Sequence, residues 1–258
     1  MRSNRWEHLN SREIKSLAEK QAIVLIPLGA IEQHGPHLAV GCDALMATWF
    51  SDRAAQGLEA RGIPTVVAPT ISVANSKHHM SFPGTISLNP STFLPYLTEY
   101  CQSIAAHGFR RIVIVNGHGG NRHPVQTALI EINEKLGFPV FFTSYFNGVE
   151  ETQYLERQNG MIHACESETS LMLAYDERLV DPIYRSTSGN PGACTDAEAR
   201  GDIATFRRME THTENGVMGE AFAATKEKGE RLAQAFTQRL VETLSDARIW
   251  DSFAPTTP

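Results

Sequence analysis

The chain has 258 residues, 41% of them hydrophobic and 20% charged, and a formal net charge of −6. That length can bury a substantial core, and a mildly acidic chain with no basic block carries no electrostatic footprint for nucleic acid or an anionic membrane. Apolar runs such as residues 22–28 and 112–115 are strand-sized, whereas crossing a bilayer takes about 20 apolar residues.

The opening stretch, MRSNRWEHLNSREIKSL, has no apolar h-region and does not resemble a secretory leader. Residues 22–29 (AIVLIPLG) form a continuous apolar run, which predicts a buried strand. The polar cluster Glu32-Gln33-His34 follows it, and Asp43 opens a helical pattern over 43–61 that Gly62 and Pro64 stop. Residues 64–70 predict a second strand, followed by the polar loop 76–79. A helix is expected over 90–107, ended by Gly108. Residues 112–116 predict a third strand, which runs into the NGHGGN of 116–121. A helix over 123–136 ends at Gly137, and 139–144 predict a fourth strand. The polar run 163–170 leads into an apolar helical stretch beginning at Leu171. Residues 181–218, rich in Gly, Ser, Thr and Asn, are expected to be irregular, as a flap or an oligomer contact. A long amphipathic helix over 227–247 closes the pattern. Strands alternating with helices predict an α/β fold with a mostly parallel central sheet. Cys42, Cys101, Cys165 and Cys194 are far apart, with no CxxC pair, which points to reduced thiols and a cytoplasmic location.

In open parallel sheets, ligands bind beyond the carboxyl ends of the strands, so three polar loops at three strand ends are expected to converge. Glu32, His34 and Asp43 are suitable ligands for a borderline or hard divalent ion. Glu32 and His34 lie two apart and point the same way on an extended loop. Asp43 alone would also read as a carboxylate favoured at a helix start. The glycines around His118 imply tight backbone geometry or close ligand approach. Their spacing matches neither GxGxxG nor the P-loop. In 163–170, Ser167 or Thr169 could cap the helix with Glu168 reinforcing its first turn. That leaves His163 and Glu166 to be explained.

Taken together, these segments resemble the creatininase (creatinine amidohydrolase) family. The resemblance rests on GAIEQHGPHL with Asp43 after it, SKHHMSFPGT (76–85), NGHGGN, HACESETSLML (163–173) and ENGVMGE (214–220). It covers roughly Val24 to Thr225 in the family's order. It implies one creatininase-like domain over 1–258, a three-layer α/β/α fold and a homo-oligomer, often a hexamer. It also implies two divalent metal ions per chain, Zn, Mn or Fe. Glu32, His34, Asp43 and His118 fall on the family's ligand positions, with Asp43 bridging. Creatininase itself has a carboxylate ligand two residues after the NGH histidine, where this chain has Gly120. In the branch with NGHGGN, the resemblance assigns that role to Glu166, with Cys165 where glycine is usual. Creatininase's substrate-stacking tryptophans have no counterpart in Trp6, Trp49 or Trp250, so creatinine is not the expected substrate.

The implied activity is metal-assisted hydrolysis of a C–N bond in a small, cyclic, lactam- or imide-like amide. Water activated by the metals attacks a polarised carbonyl. His163 is the expected proton donor to the leaving nitrogen. His79 would bind the substrate carbonyl or support a ligand, and His37 would orient a ligand by hydrogen bond. The same chemistry would serve a lactonase, a deformylase or a cyclic-ketone hydrolase. From another class, a non-catalytic metal- or small-molecule-binding subunit also accommodates the motifs.

Overall fold

The computed structural model describes residues 4–189 and 205–251. Residues 190–204, and Cys194 with them, lie outside that description. Four strands, β1 (Ile23–Leu28), β2 (Thr65–Val67), β3 (Arg111–Asn116) and β4 (Val140–Ser144), form a parallel sheet in the order β2-β1-β3-β4. The β1–β3 register runs from Ile23↔Arg111 to Leu28↔Asn116, so the loops carrying Glu32 and His118 leave the sheet at the same level.

The helices are α1 (Ser11–Glu19), α2 (Cys42–Glu59), α3 (Pro90–Ala106), α4 (Arg122–Leu136), α5 (Glu166–Asp176) and α6 (Lys226–Ser245), with a short α7 (Ala247–Asp251) at the end. Side chains alternate across a strand. Ile23, Leu25, Val113 and Val115 pack with residues of α2, α5 and α6 on one face. Val24, Ile26, Leu28, Ile112 and Ile114 pack with residues of α1, α3 and α4 on the other. Both faces are covered, which is why β1 is buried throughout and reads as an unbroken apolar run. The result is a three-layer α/β/α arrangement.

Two glycines set the position of α2. A Cβ at Gly29 would stand 2.4 Å from the Ala44 backbone, and one at Gly117 would stand 2.5 Å from the Asp43 carbonyl. Only glycine at both strand ends lets the first turn of α2 settle onto β1 and β3, and that turn carries Asp43. Helix α1 was not anticipated from periodicity. It begins with a capping box in which the Asn10 side chain accepts from the Arg12 and Glu13 amides while Glu13 accepts from the Asn10 amide.

Candidate metal centre

Glu32, His34, Asp43 and His118 meet above the carboxyl ends of β1 and β3, none more than 4% exposed. Asp43 sits between two imidazoles: Oδ1 lies 3.2 Å from His34 Nε2, and Oδ2 lies 3.0 Å from His118 Nδ1. The far nitrogen of each ring faces a backbone carbonyl. His34 Nδ1 donates to the Glu32 carbonyl at 3.0 Å, and His118 Nε2 donates to the Asn75 carbonyl at 3.1 Å. A carbonyl only accepts, so each ring hydrogen is committed there and the nitrogen facing Asp43 is a bare lone pair.

Acceptor facing acceptor at about 3 Å requires a positive charge between them. Consistent with this, Glu32 Oε2, His34 Nε2 and Asp43 Oδ2 are buried and make no hydrogen bond. A set of carboxylate oxygens and imidazole nitrogens with these unsatisfied atoms fits borderline or hard divalent cations. Without a cation, protons take that place. Burial opposes charge on His34, but Asp43 outweighs it and holds the ring up at about 10. Burial likewise opposes charge on His118, which Glu32 and Asp43 lift to about 9. Burial would raise Asp43, but His34 and His118 hold it well below the usual carboxylate range. Burial pushes Glu32 up to about 7; His118 pulls it down and Asp43 adds to the rise.

Gln33 organises the next layer. Its Oε1 accepts from the Gly35 amide at 2.9 Å, which fixes the orientation of the side-chain amide. The Gln33 Nε2 hydrogens then go to His79 Nδ1 at 2.8 Å and the Gly216 carbonyl at 3.1 Å. His79 is left with its hydrogen on Nε2, 3.2 Å from Glu32 Oε1, so it supports that carboxylate. His163 Nε2 donates to the Gln33 carbonyl at 2.9 Å, which leaves Nδ1 bare, 3.4 Å from Glu32 Oε1. Burial, reinforced by the charge on His34, pushes His163 well below its ordinary pKa. His37 does not reach the cluster's ligand atoms. Its Nε2 is hydrogen-bonded to Thr169 Oγ1 at 2.9 Å.

Glu166 is not brought to the centre. Its Oε1 accepts from Lys228 Nζ at 2.7 Å and from the Glu156 amide at 2.9 Å, and its Oε2 accepts from the Arg157 amide at 2.9 Å. The physical reason is helical: α5 begins at Glu166, and residues two apart on a helix point to nearly opposite sides. The outward side takes Glu166 toward α6, and the inward side takes Glu168 into the cavity. Glu168 is 5% exposed, accepts from the Ala164 amide, and is pushed up to about 7 by burial against the pull of His34. Ala164 itself holds φ +51°, a left-handed conformation uncommon for a residue with a Cβ. Neither Ser167 nor Thr169 caps α5. Ser167 donates to Glu151 at 2.6 Å, and the N-cap Cys165 makes no side-chain cap.

The cluster floors a cavity of about 330 Å³ lined also by His78, Gly119, Gly120, Ile162, Arg207, Met209, His212 and Met218. Sequence reasoning missed Glu168, Gln33, His78 and the wall from 207 to 218. Glu168 was findable from helical periodicity, because it shares a face with the buried Leu171 and Met172 three and four positions on. The 207–218 wall has no periodic pattern to reveal it.

The chain has clear relatives among known proteins. The family model for creatininase, described as creatinine amidohydrolase, matches residues 7–244. The chain is 27% identical to the creatinine amidohydrolase of Pseudomonas putida over 254 residues, covering 93% of this chain and 94% of that one. It is 30% identical to the mycofactocin precursor peptide peptidase of Mycolicibacterium smegmatis over 237 residues, 86% of this chain and 83% of that one. A solved structure of creatininase in its Mn form superposes with a TM-score of 0.77 at 26% identity, covering 98% of this chain and all of that one.

Proposed function

Because the chain belongs to the creatininase family, we propose that it is a metal-dependent amidohydrolase cleaving a C–N bond of a small, cyclic, lactam- or imide-like amide. The observation that carries this reading is Asp43, whose two carboxylate oxygens each face a bare imidazole nitrogen. Glu32, His34, Asp43, His118 and Glu168 would hold two divalent ions, Zn, Mn or Fe, with Asp43 between them. Bound there, such ions supply Lewis acidity toward the substrate carbonyl and lower the pKa of water.

The chain's own residues supply the rest. His163 offers its bare Nδ1 to take a proton and pass it to the leaving nitrogen. Gln33 fixes the tautomers of His163 and His79, and His79 steadies Glu32. Glu168 lines the cavity and offers a carboxylate in place of the one missing at Gly120, which supports the enzyme reading over a non-catalytic subunit. A small-molecule substrate suits the closed floor of the cavity. Likeness to a peptide peptidase makes peptides a necessary arm of any substrate screen.

We also infer a homo-oligomer, for which the exposed side chains of Met80 and Ile86 offer apolar contact area. A cytoplasmic location is supported by Cys42, Cys101 and Cys165 being buried and unpaired. Among the described residues, no helix is long and apolar enough to cross a membrane.

The test combines metal analysis with a panel of lactams, cyclic imides, formamides, lactones and short peptides. Purified protein is expected to carry one to two divalent ions per chain, and Asp43→Ala to lose them together with activity. Full activity of metal-free wild type would overturn the mechanism. Turnover of lactones or formamides alone would redirect the substrate class and leave the centre intact.

A further inference from the structure

We propose that His78 is an additional imidazole ligand of the ion held by Glu32 and His118. This rests on the metal-dependent reading above and extends it to a residue outside the family positions already considered. Glu32, His78 and His118 offer ligand atoms that all lie within 4.8 Å of one another. The His78 ring stacks on His118 with centroids 5.6 Å apart and planes 20° apart, and it lines the same cavity. Glu32 Oε2 is buried and makes no hydrogen bond, and His118 keeps its bare Nδ1 toward the centre. Glu32 therefore has unfilled acceptor capacity beside His118.

Gly120 gives an independent geometric reason. A Cβ there would fall 2.4 Å from His118 Nε2 and 2.7 Å from His78 Cε1. The two rings and the 118–120 backbone occupy one volume, and only glycine leaves room for both. The missing side chain at 120 and the imidazole from 78 thus belong to one arrangement: the loop after β2 fills from the opposite wall the space that position 120 leaves open.

Two facts separate ligation from mere packing: which atoms the ring carries, and what an ion's spectrum reports. His78→Phe keeps a stacking ring and removes both nitrogens. The chelator-treated wild type and this variant are titrated with Co(II), following ion stoichiometry and the visible d–d absorption, with circular dichroism as a check on folding. His78→Gln repeats the measurement with a smaller polar side chain. Wild type is expected to bind two ions. His78→Phe is expected to bind one of them about tenfold or more weaker, with an altered d–d spectrum that signals a lost nitrogen donor. If both variants bind two ions with wild-type affinity and spectrum, His78 is no ligand, and the metal-dependent reading stands without it. Weakened binding with an unchanged spectrum equally overturns the proposal, because the ring then acts only through packing. Wild type that binds no ion overturns the metal-dependent reading itself, and this proposal with it.

Discussion

Single side chains decide the chemistry of this centre, and two glutamates only two positions apart have opposite fates. Glu168 enters the cavity, while Glu166 is held by Lys228 and two backbone amides. Glu168→Gln is therefore expected to weaken binding of one ion by at least about tenfold and to reduce turnover in parallel. Glu166→Gln is expected to keep full metal content and lose stability instead. That loss lies near the lower end of about 3–5 kcal/mol for breaking a buried pair, because Lys228 still has Glu156 at 3.0 Å. Metal titration and denaturant unfolding of the two variants check both outcomes, and reversed results would reverse the assignment. The residue types of Glu32, His34, Asp43 and His118 were legible as ligands because each follows a strand or opens a helix. The choice between Glu166 and Glu168 was not legible, because it turns on the residue at which α5 begins. In an extended chain the two carboxylates share a side, and in a helix they part.

At the scale of elements, the strands were legible for a reason particular to this sheet. Burial on both faces removes alternation and leaves unbroken apolar runs at β1 and β3, bounded by Gly, Pro or Asn. Helices α2, α3 and α4 were legible from their glycine and proline stops, and α6 from its long amphipathic pattern. Helix α1 was not, since its start lies in the Asn10 capping box, whose partner Glu13 is an ordinary surface residue in sequence. The packing of α5 on α6 depends on a feature no pattern reveals: a Cβ at Gly229 would fall 1.8 Å from the Ser170 carbonyl. Alanine in place of a helical glycine ordinarily stabilises by about 1 kcal/mol. Here Gly229→Ala is expected to destabilise by about 1–3 kcal/mol, because the two helices must separate. Equilibrium unfolding measures the sign, and a stabilised variant would show that the helices do not approach this closely.

Over the whole molecule, the buried charges make stability depend on both pH and metal. In the metal-free protein His34 and His118 are held up at about 10 and about 9, against about 6.5 in an unfolded chain. Between pH 7 and 9 the unfolded chain has released these protons and the folded chain keeps them. The folded state then binds more protons, so its stability falls as pH rises, by at most about 1.4 kcal/mol per retained proton per pH unit. Divalent ions displace the same protons and bind better over the same interval. The chelator-induced drop in melting temperature is thus expected to be larger at pH 9 than at pH 7. An equal drop at both would mean that Asp43 does not hold protonated imidazoles in the metal-free state. Ala164 adds a constraint of its own. Its left-handed backbone turns the chain between His163 and Glu168, and its amide grips Glu168. The side chains proposed as proton carrier and fifth ligand therefore flank one twisted peptide. On that proposal, a change of backbone at Ala164 would disturb the ion site and the proton path together.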